Sequence, residues 1–328
     1  MDETQLIGRY FKTLGAKRTD VSLGIGDDAA LLRVPADCEL VLTTDALVEG
    51  AHFLPGASAR SLGHRALAVN LSDIAAMGAA PSWMLLSLVM PEVAEAWLAP
   101  FCAGLAALAN VHDVALVGGN LARGPLSITV ELAGLVPCGR ALRRSGARPG
   151  DALYVSGTPG DAAAGRLGGE EGSAPLLERF EYPTPRVALG QGLLKLASAC
   201  IDVSDGLYVD ARRMLMASNC AGRLDAELLP LSEPLRSAER RGDWPARQAL
   251  QLALCGGEDY ELCFCAPPVN EPAIFALAAA LGERVTRIGN VSEGTGLTVN
   301  SSNPVLSAEL EATGFDHFRR QAPGTAAG

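Results

Sequence analysis

Lysine is nearly missing from this 328-residue chain: three residues, at 12, 17 and 195. None lies in the G-x-x-x-x-G-K-[ST] setting of a P-loop, so phosphates are not cradled in that way. Cationic residues number 27 against 37 acids, for a formal charge of -10. That balance leaves no basic stripe to neutralise a nucleic-acid backbone, and a nucleic-acid groove is excluded. No run of about 18 apolar residues occurs, which excludes a membrane-spanning helix. The start, "MDETQLIGRYFKTLG", is acidic and helically spaced rather than basic and apolar, so no signal peptide is expected and the expected location is cytoplasmic. Eight cysteines (38, 102, 138, 200, 220, 255, 263 and 265) form no C-x-x-C pair. A zinc motif or disulfide framework is therefore not expected, and the thiols are read as reduced and buried. The four histidines form no H-E-x-x-H pair, the EF-hand pattern is missing, and "GIGDDA" and "GGN" are too short for a dinucleotide fingerprint. No internal repeat of solenoid period is visible.

What is present is apolar material in alternating elements. With 48% hydrophobic residues, the chain can fill one large core or two ordinary ones, and two are read here. "CELVLTTDAL" reads as a strand ending at Thr43, Thr44 and Asp45, followed by a long helix, "ARSLGHRALAVNLSDIAAMG". "WMLLSLVM" is a strand and "WLAPFCAGLAALANVH" a helix. "DVALVGGN" and "LSITVELAGLVP" read as two strands joined by a Gly-Gly-Asn turn. The texture changes at "PCGRALRRSGARPGD", where four arginines, at 140, 143, 144 and 148, sit among Gly and Pro like a linker. A second α/β half follows. The expected division is 1–137, a linker at 138–150, a second domain at 151–320, and a disordered tail at 321–328.

The acids fall at strand ends and in glycine-rich turns: Asp28 after "GIG", Asp45 after "LTT", Asp202 and Asp205 in "IDVSDG", Glu258 and Asp259 in "CGGEDYE". Loops at strand ends are where α/β folds hold ligands. Singly, each acid also suits a helix cap or a turn. Asp73 does not fit that reading, because it sits in the otherwise apolar helix pattern "ALAVNLSDIAAMG", three residues from Asn70 on one face. A carboxylate on a core-facing stripe needs a metal or a pairing arginine. A set of Asp, Thr and Asn oxygens suits Mg²⁺, which binds through carboxylates plus substrate phosphates, and this points toward nucleotide chemistry.

In this order "GIGDDAA", "LTTDALVEGAHF", "NLSDIAAMGAAP", "VGGN", "RSGARPGD", "YVSGTPGDAAAG", "IDVSDGL" and "GGEDYEL" resemble the thiamine-monophosphate kinase family, from about residue 5 to Phe318. The resemblance implies the aminoimidazole ribonucleotide synthetase superfamily: a two-domain α/β (α+β) fold in which N-terminal sheets pair into a barrel across a homodimer, with a C-terminal α/β domain and ATP in the cleft between. It implies the reaction of ATP with thiamine monophosphate to give ADP and thiamine diphosphate. By the same resemblance Asp28, Thr43, Thr44, Asp45, Asp73, Asn120, Asp202 and Asp205 are ligands of several Mg²⁺ ions. Gly119, Asn120, Arg144 and Ser204 contact ATP, while His52, Glu258 and Phe315 meet the thiamine phosphate. Asp27 supports the turn beside Asp28. Asn120 stands where many relatives have Asp, and Cys102 falls near a position where a relative can present an aromatic ring to the nucleotide.

The acceptor phosphate is ionised near neutral pH, so direct in-line transfer needs no general base, in keeping with the lack of a Ser-His or Cys-His pairing. Two rivals within the superfamily fit less well. A selenophosphate synthetase would carry a reactive cysteine near a glycine-rich N-terminus, whereas the first cysteine is Cys38; a hydrogenase-maturation relative would end in cysteine, whereas this chain ends "TAAG". A non-catalytic nucleotide- or Mg²⁺-binding module remains a third reading, separated from an enzyme by turnover of ATP.

Overall fold

The computed structural model describes residues 2–168, 174–243 and 248–301, and the tail expected at 321–328 lies outside them. The chain opens with a short helix, α1 (Glu3–Leu6), closed by a capping box: Asp2 accepts from the Gln5 amide while the Gln5 side chain accepts from the Asp2 amide. Two short strands, β1 (Val21–Leu23) and β2 (Leu31–Leu32), pair antiparallel and frame the "GIGDDAA" turn.

Residues 38–137 then build β3 (Cys38–Val48), α2 (Ala59–Ala76), β4 (Ala80–Met90), α3 (Glu95–Val111), β5 (Ala115–Arg123) and β6 (Ser127–Pro137). The strands form one sheet in the order β3-β6-β4-β5, antiparallel except for β4 and β5, which are parallel and joined across α3. One face is dry: Leu47, Met84, Leu86, Leu88, Ile128, Val130 and Leu132 are buried in the same cluster as Leu67, Leu71 and Ile74 of α2. The other face leaves Leu40, Leu42 and Leu85 exposed, at 44%, 69% and 39%.

Two expectations are corrected here. Strand β3 runs on to Val48, so Thr43, Thr44 and Asp45 lie inside the strand rather than at its end. Its full length is paired to β6, from Cys38 opposite Pro137 to Val48 opposite Ser127. Likewise "GGN" is no turn but part of β5, and the reversal comes at 124–126. Gly119 has a φ of 151°, and a side chain there would strike the Leu86 carbonyl oxygen at 1.9 Å. The glycine serves close strand packing, a role its sequence context does not distinguish from a turn.

Helix α2 is the axis of the molecule. Ser58 caps it by accepting from the Ser61 amide at 3.3 Å, and it packs on α3, β3 and β6. Gly63 and Gly104 permit the close crossing with α3: a Cβ on either would lie 2.0 Å from a carbonyl oxygen of the partner helix, Phe101 or Arg60.

The later residues form β7 (Ala152–Ser156), α4 (Asp161–Leu167), α5 (Ala174–Glu181), α6 (Val187–Leu193), β8 (Ala199–Val203), α7 (Leu207–Ala217), β9 (Ala221–Asp225), α8 (Glu233–Arg241), α9 (Gln248–Cys255), β10 (Glu261–Ala266), α10 (Glu271–Leu281), β11 (Val285–Ser292) and β12 (Gly296–Asn300). The sheet order is β12-β9-β11-β7-β10-β8, antiparallel but for β12 with β9. Helix α2 also touches α6, β8 and β10, so it is shared between the two sheets. All eight cysteines are free; five are buried, but Cys138 is exposed and Cys38 and Cys255 are partly so, which corrects the expectation of uniformly buried thiols. Cys138 falls just past β6, where the chain leaves the sheet and loses its cover. Among the described residues no helix is long and apolar enough to cross a membrane.

Candidate functional site

Strand β3 and helix α2 meet through a short hydrogen bond, Thr43 Oγ1 donating to Asp73 Oδ2 at 2.5 Å. One residue back on α2, Ser72 Oγ donates to Asp202 Oδ2 at the end of β8, at 3.0 Å. Thr43 and Asp45 are two residues apart on one strand and therefore share the face toward α2. Three carboxylates from three elements thus converge: Asp45, Asp73 and Asp202.

Their charges interfere. Burial, and then the neighbouring charges of Asp73 and Glu258, push Asp45 up to about 7. Burial and the charge of Asp73 push Asp202 up to about 8. Asp73 is also raised by burial, against the opposing pull of the Thr43 hydroxyl and the Arg144 guanidinium. The charge of Arg144 lowers both Asp73 and Asp202, so this arginine of the connecting segment lies within electrostatic reach of both. Acids held in mutual repulsion are costly unless a cation joins them. The donors are all oxygens, which suits a hard divalent ion. Among the described residues no three acidic, histidine or cysteine side chains close on one point tightly enough to hold an ion unaided. A bound ion would complete its shell with water and ligand phosphates, as small hard cations commonly do.

The loop before β10 forms the adjoining wall. Gly257, Glu258 and Tyr260 have φ of 70°, 63° and 51°. For a non-glycine residue the left-handed region costs roughly 1 to 2 kcal/mol, and such strain concentrates at functional sites. The loop is tied to the end of β8: the Glu258 amide donates to the Ser204 carbonyl at 2.8 Å and the Tyr260 amide to that of Val203 at 2.9 Å. Asp210 fixes the other side of this turn by accepting from the amides of Ser204 and Asp205, at 3.0 and 2.9 Å. The Asp205 carboxylate pairs with Arg213 rather than joining the cluster. Glu258 Oε2 accepts from Arg65 Nη2 at 2.5 Å and from the Tyr260 hydroxyl at 3.0 Å. His52 is linked to the same wall, since its carbonyl accepts from Arg65 Nη1 at 3.0 Å while its Nδ1 accepts from the Val48 amide.

The remaining expected residues lie elsewhere. Asp28, Gly119 and Asn120 line a cavity of about 1030 Å³ against the open face of the four-stranded sheet, along with Leu40, Leu42 and Glu131. Thr44, out of phase with Thr43 and Asp45, belongs to that open face and pairs with Glu131. The structure therefore gathers Thr43, Asp45, Asp73, Asp202, Arg144, Glu258 and His52 on one side, and Asp28, Thr44, Gly119 and Asn120 on the other. Asp27 has the turn role expected of it, accepting from the Asp28 amide at 2.8 Å. Phe315 lies outside the described residues. Cys102 is buried in α3 with its thiol pushed up to about 12 by burial. Sequence reasoning passed over Arg65, Ser72, Asp210 and Tyr260. Arg65 carried the same signal as Asp73, an ionised group inside an apolar helix.

Residues 26–136 match the family model "AIR synthase related protein, N-terminal domain", and residues 148–301 match the corresponding C-terminal domain. The thiamine-monophosphate kinase of Salmonella typhimurium is 46% identical over 327 residues, covering 96% of this chain and 98% of the relative. This chain belongs to the thiamine-monophosphate kinase family. A thiamine-monophosphate kinase structure from Stenotrophomonas maltophilia superimposes with a TM-score of 0.81 at 45% identity, covering 87% of this chain and 92% of the other. A further kinase of the family, AaThiL complexed with AMPPCP and TMP, is 34% identical with a TM-score of 0.74, covering 90% and 93% of the two chains. The two-part α/β architecture is thus that of this kinase family.

Proposed function

We propose that this chain transfers the γ-phosphoryl group of ATP to the phosphate of thiamine monophosphate, giving ADP and thiamine diphosphate. The observation that carries the reading is the 46% identity, spread over 96% of the chain, with a thiamine-monophosphate kinase. The acid cleft agrees with it chemically, since a reaction between two polyanions requires counter-charge and ordered placement, and divalent cations held by these acids would supply both.

Asp45, Asp73 and Asp202, with the Thr43 hydroxyl, are the residues that would hold Mg²⁺ in this reading; Asp28, Thr44 and Asn120, on the other face of the sheet, would serve a separate ion there, and Asp205 would join the first group only on leaving Arg213. Bound Mg²⁺ supplies neutralisation of phosphate charge. Arg144 lies in the field of Asp73 and Asp202 and would bind nucleotide phosphate there with Ser204, while Gly119 and Asn120 would meet the nucleotide from the other face of the sheet. The acceptor is a phosphate oxygen that is already ionised. It forms a bond to the γ-phosphorus as the bond from that phosphorus to the β–γ bridging oxygen breaks, and the electron pair leaves with ADP. No side chain has to remove a proton, so the protein's work is alignment. Glu258 and His52, with Phe315, hold the thiamine end.

Two features of assembly belong to the same reading. Residues 138–150 connect an N-terminal domain, 1–137, to a C-terminal one, 151–320. The exposed apolar row Leu40, Leu42 and Leu85 is the face on which a second copy of the chain pairs, closing the barrel of a homodimer and bringing cover to the cavity beside Asp28 and Asn120.

The test is ADP release with thiamine monophosphate, free thiamine and aminoimidazole precursors offered separately. Thiamine monophosphate alone should support turnover, with thiamine diphosphate formed mole for mole. ADP release indifferent to that substrate would overturn the assignment.

A further inference from the structure

Arg65 is the one cation of the long apolar stretch of α2 and is only 3% exposed, yet the roles drawn so far do not use it. Burying a guanidinium is costly unless its donors are spent. Of its three engagements, two lead to parts assigned to the thiamine end, Glu258 and His52, and the third is with an aromatic ring. Nη2 donates to Glu258 Oε2 at 2.5 Å, Nη1 donates to the His52 carbonyl at 3.0 Å, and the guanidinium lies 4.2 Å from the centre of the Phe180 ring. These partners come from three separate segments: the loop after β3, the helix α5, and the strained turn before β10. Nε is buried and has no hydrogen-bond partner among the described residues. On Glu258, Arg65 and Tyr260 both use Oε2, so Oε1 carries no hydrogen bond among the described residues and Glu258 keeps partial exposure, 20%.

We propose that Arg65 is a positioning residue for the aminopyrimidine end of the substrate. It aims one Glu258 oxygen into the cleft as an acceptor for an exocyclic amino group, and draws the His52 loop and Phe180 in around the ring. This rests on the kinase reading above and deepens it. A fork-shaped guanidinium suits the task because its two outer nitrogens reach two acceptors at once, and its flat face covers an aromatic ring. The φ of 63° at Glu258 supports the same view: the turn is held in a strained form that points the carboxylate toward Arg65. The hydrogen bonds of Arg65 run to Glu258 and His52 and not to Asp45, Asp73 or Asp202, so its removal should weaken substrate binding and spare the nucleotide.

The experiment compares wild type, R65M, R65Q and R65K in steady-state kinetics with each substrate varied in turn. Each variant is first checked for a native melting transition. R65M is expected to raise KM for thiamine monophosphate at least 10-fold, with kcat and KM for ATP within about 2-fold of wild type. R65K keeps the charge and should recover to within about 3-fold in KM. If R65M does not fold, R65Q, which keeps an N–H donor, takes its place with the same expectation. Equal rises in both KM values, an unchanged KM for thiamine monophosphate, or loss of fold in both neutral variants would overturn the proposal, the last by making Arg65 a structural anchor. Should wild type itself fail to turn over thiamine monophosphate, the function reading falls, and that outcome is seen before any variant is made.

Discussion

At the scale of single residues, the acids of the cleft do two opposed things. They concentrate negative charge that a bound cation would neutralise, and they oppose folding while no cation is bound. Asp45 shows both. Its carboxyl titrates at about 7 in the folded protein against an ordinary 3.8, through burial and the charges of Asp73 and Glu258. Between those values the folded state binds a proton that the unfolded state has released. The associated stability is therefore whole below the ordinary value and is lost as pH rises through about 7. Asp45→Asn cannot ionise and escapes this loss. The expected outcome is a metal-free variant whose melting temperature falls less than that of wild type between pH 5 and 8, ending a few degrees, about 2 to 5 °C, above it. The same variant should lose phosphoryl transfer, since an amide lacks the charge that Mg²⁺ needs. Scanning calorimetry across pH and a rate assay read both effects. Asn120 poses the converse case. Asn120→Asp should reach half-maximal rate at lower Mg²⁺, and Asn120→Leu should lose most activity for want of an oxygen. A Mg²⁺ titration of the three proteins at fixed ATP decides it; a Leu variant equal to wild type would leave Asn120 a packing residue of β5.

At the scale of elements, α2 sets the site. It presents Arg65 to the Glu258 turn, Ser72 to Asp202 and Asp73 to Thr43, so an error in its placement moves every part together. Its position against α3 depends on the paired glycines, and Gly104→Ala puts a methyl group 2.0 Å from the Arg60 carbonyl. Overpacking of this kind costs about 1 to 3 kcal/mol, and the crossing is between two backbones that cannot yield as side chains do. Denaturant unfolding of Gly104→Ala should show a loss near the upper end of that range, with kcat/KM depressed for both substrates because the helix carries both halves of the cleft. An unchanged midpoint would mean that α2 and α3 can separate without consequence.

At the scale of the whole molecule, the four-stranded sheet is covered on one face only. Helices α2 and α3 shield Leu86, Val130 and Leu132, while Leu42 on the other face stays 69% exposed. In the proposed homodimer a second copy of the chain would bury that row. Leu42→Asp places a charge in the centre of the pairing face, and desolvating it is costly. Sedimentation should show wild type as a dimer and Leu42→Asp shifted to the monomer, with activity falling in step. A monomeric wild type would leave the apolar face without its partner and remove the barrel from the description.

The sequence by itself determined the class of chemistry and most of the frame. Acid-bearing motifs in glycine-rich turns, the near absence of lysine and the lack of any P-loop already pointed to oxygen donors and phosphates. Long elements with a strong pattern, such as α2 and β3, were readable because apolar periodicity is a local property. Shorter pieces such as α5, α6, α8 and β9 were passed over, because seven or so residues carry too few repeats to declare a period, and their form is settled by neighbours. Only the tertiary structure decided which acids meet. The period-two alternation of β3 turns Thr43 and Asp45 toward α2 and Thr44 away, and no motif records where a strand's register will place its faces. The raised values at Asp45 and Asp202 depend on charges brought close from distant segments, as does the grip of Arg65 on Glu258, 193 residues along the chain. Electrostatic interaction follows distance in space, and that distance exists only once the chain has folded.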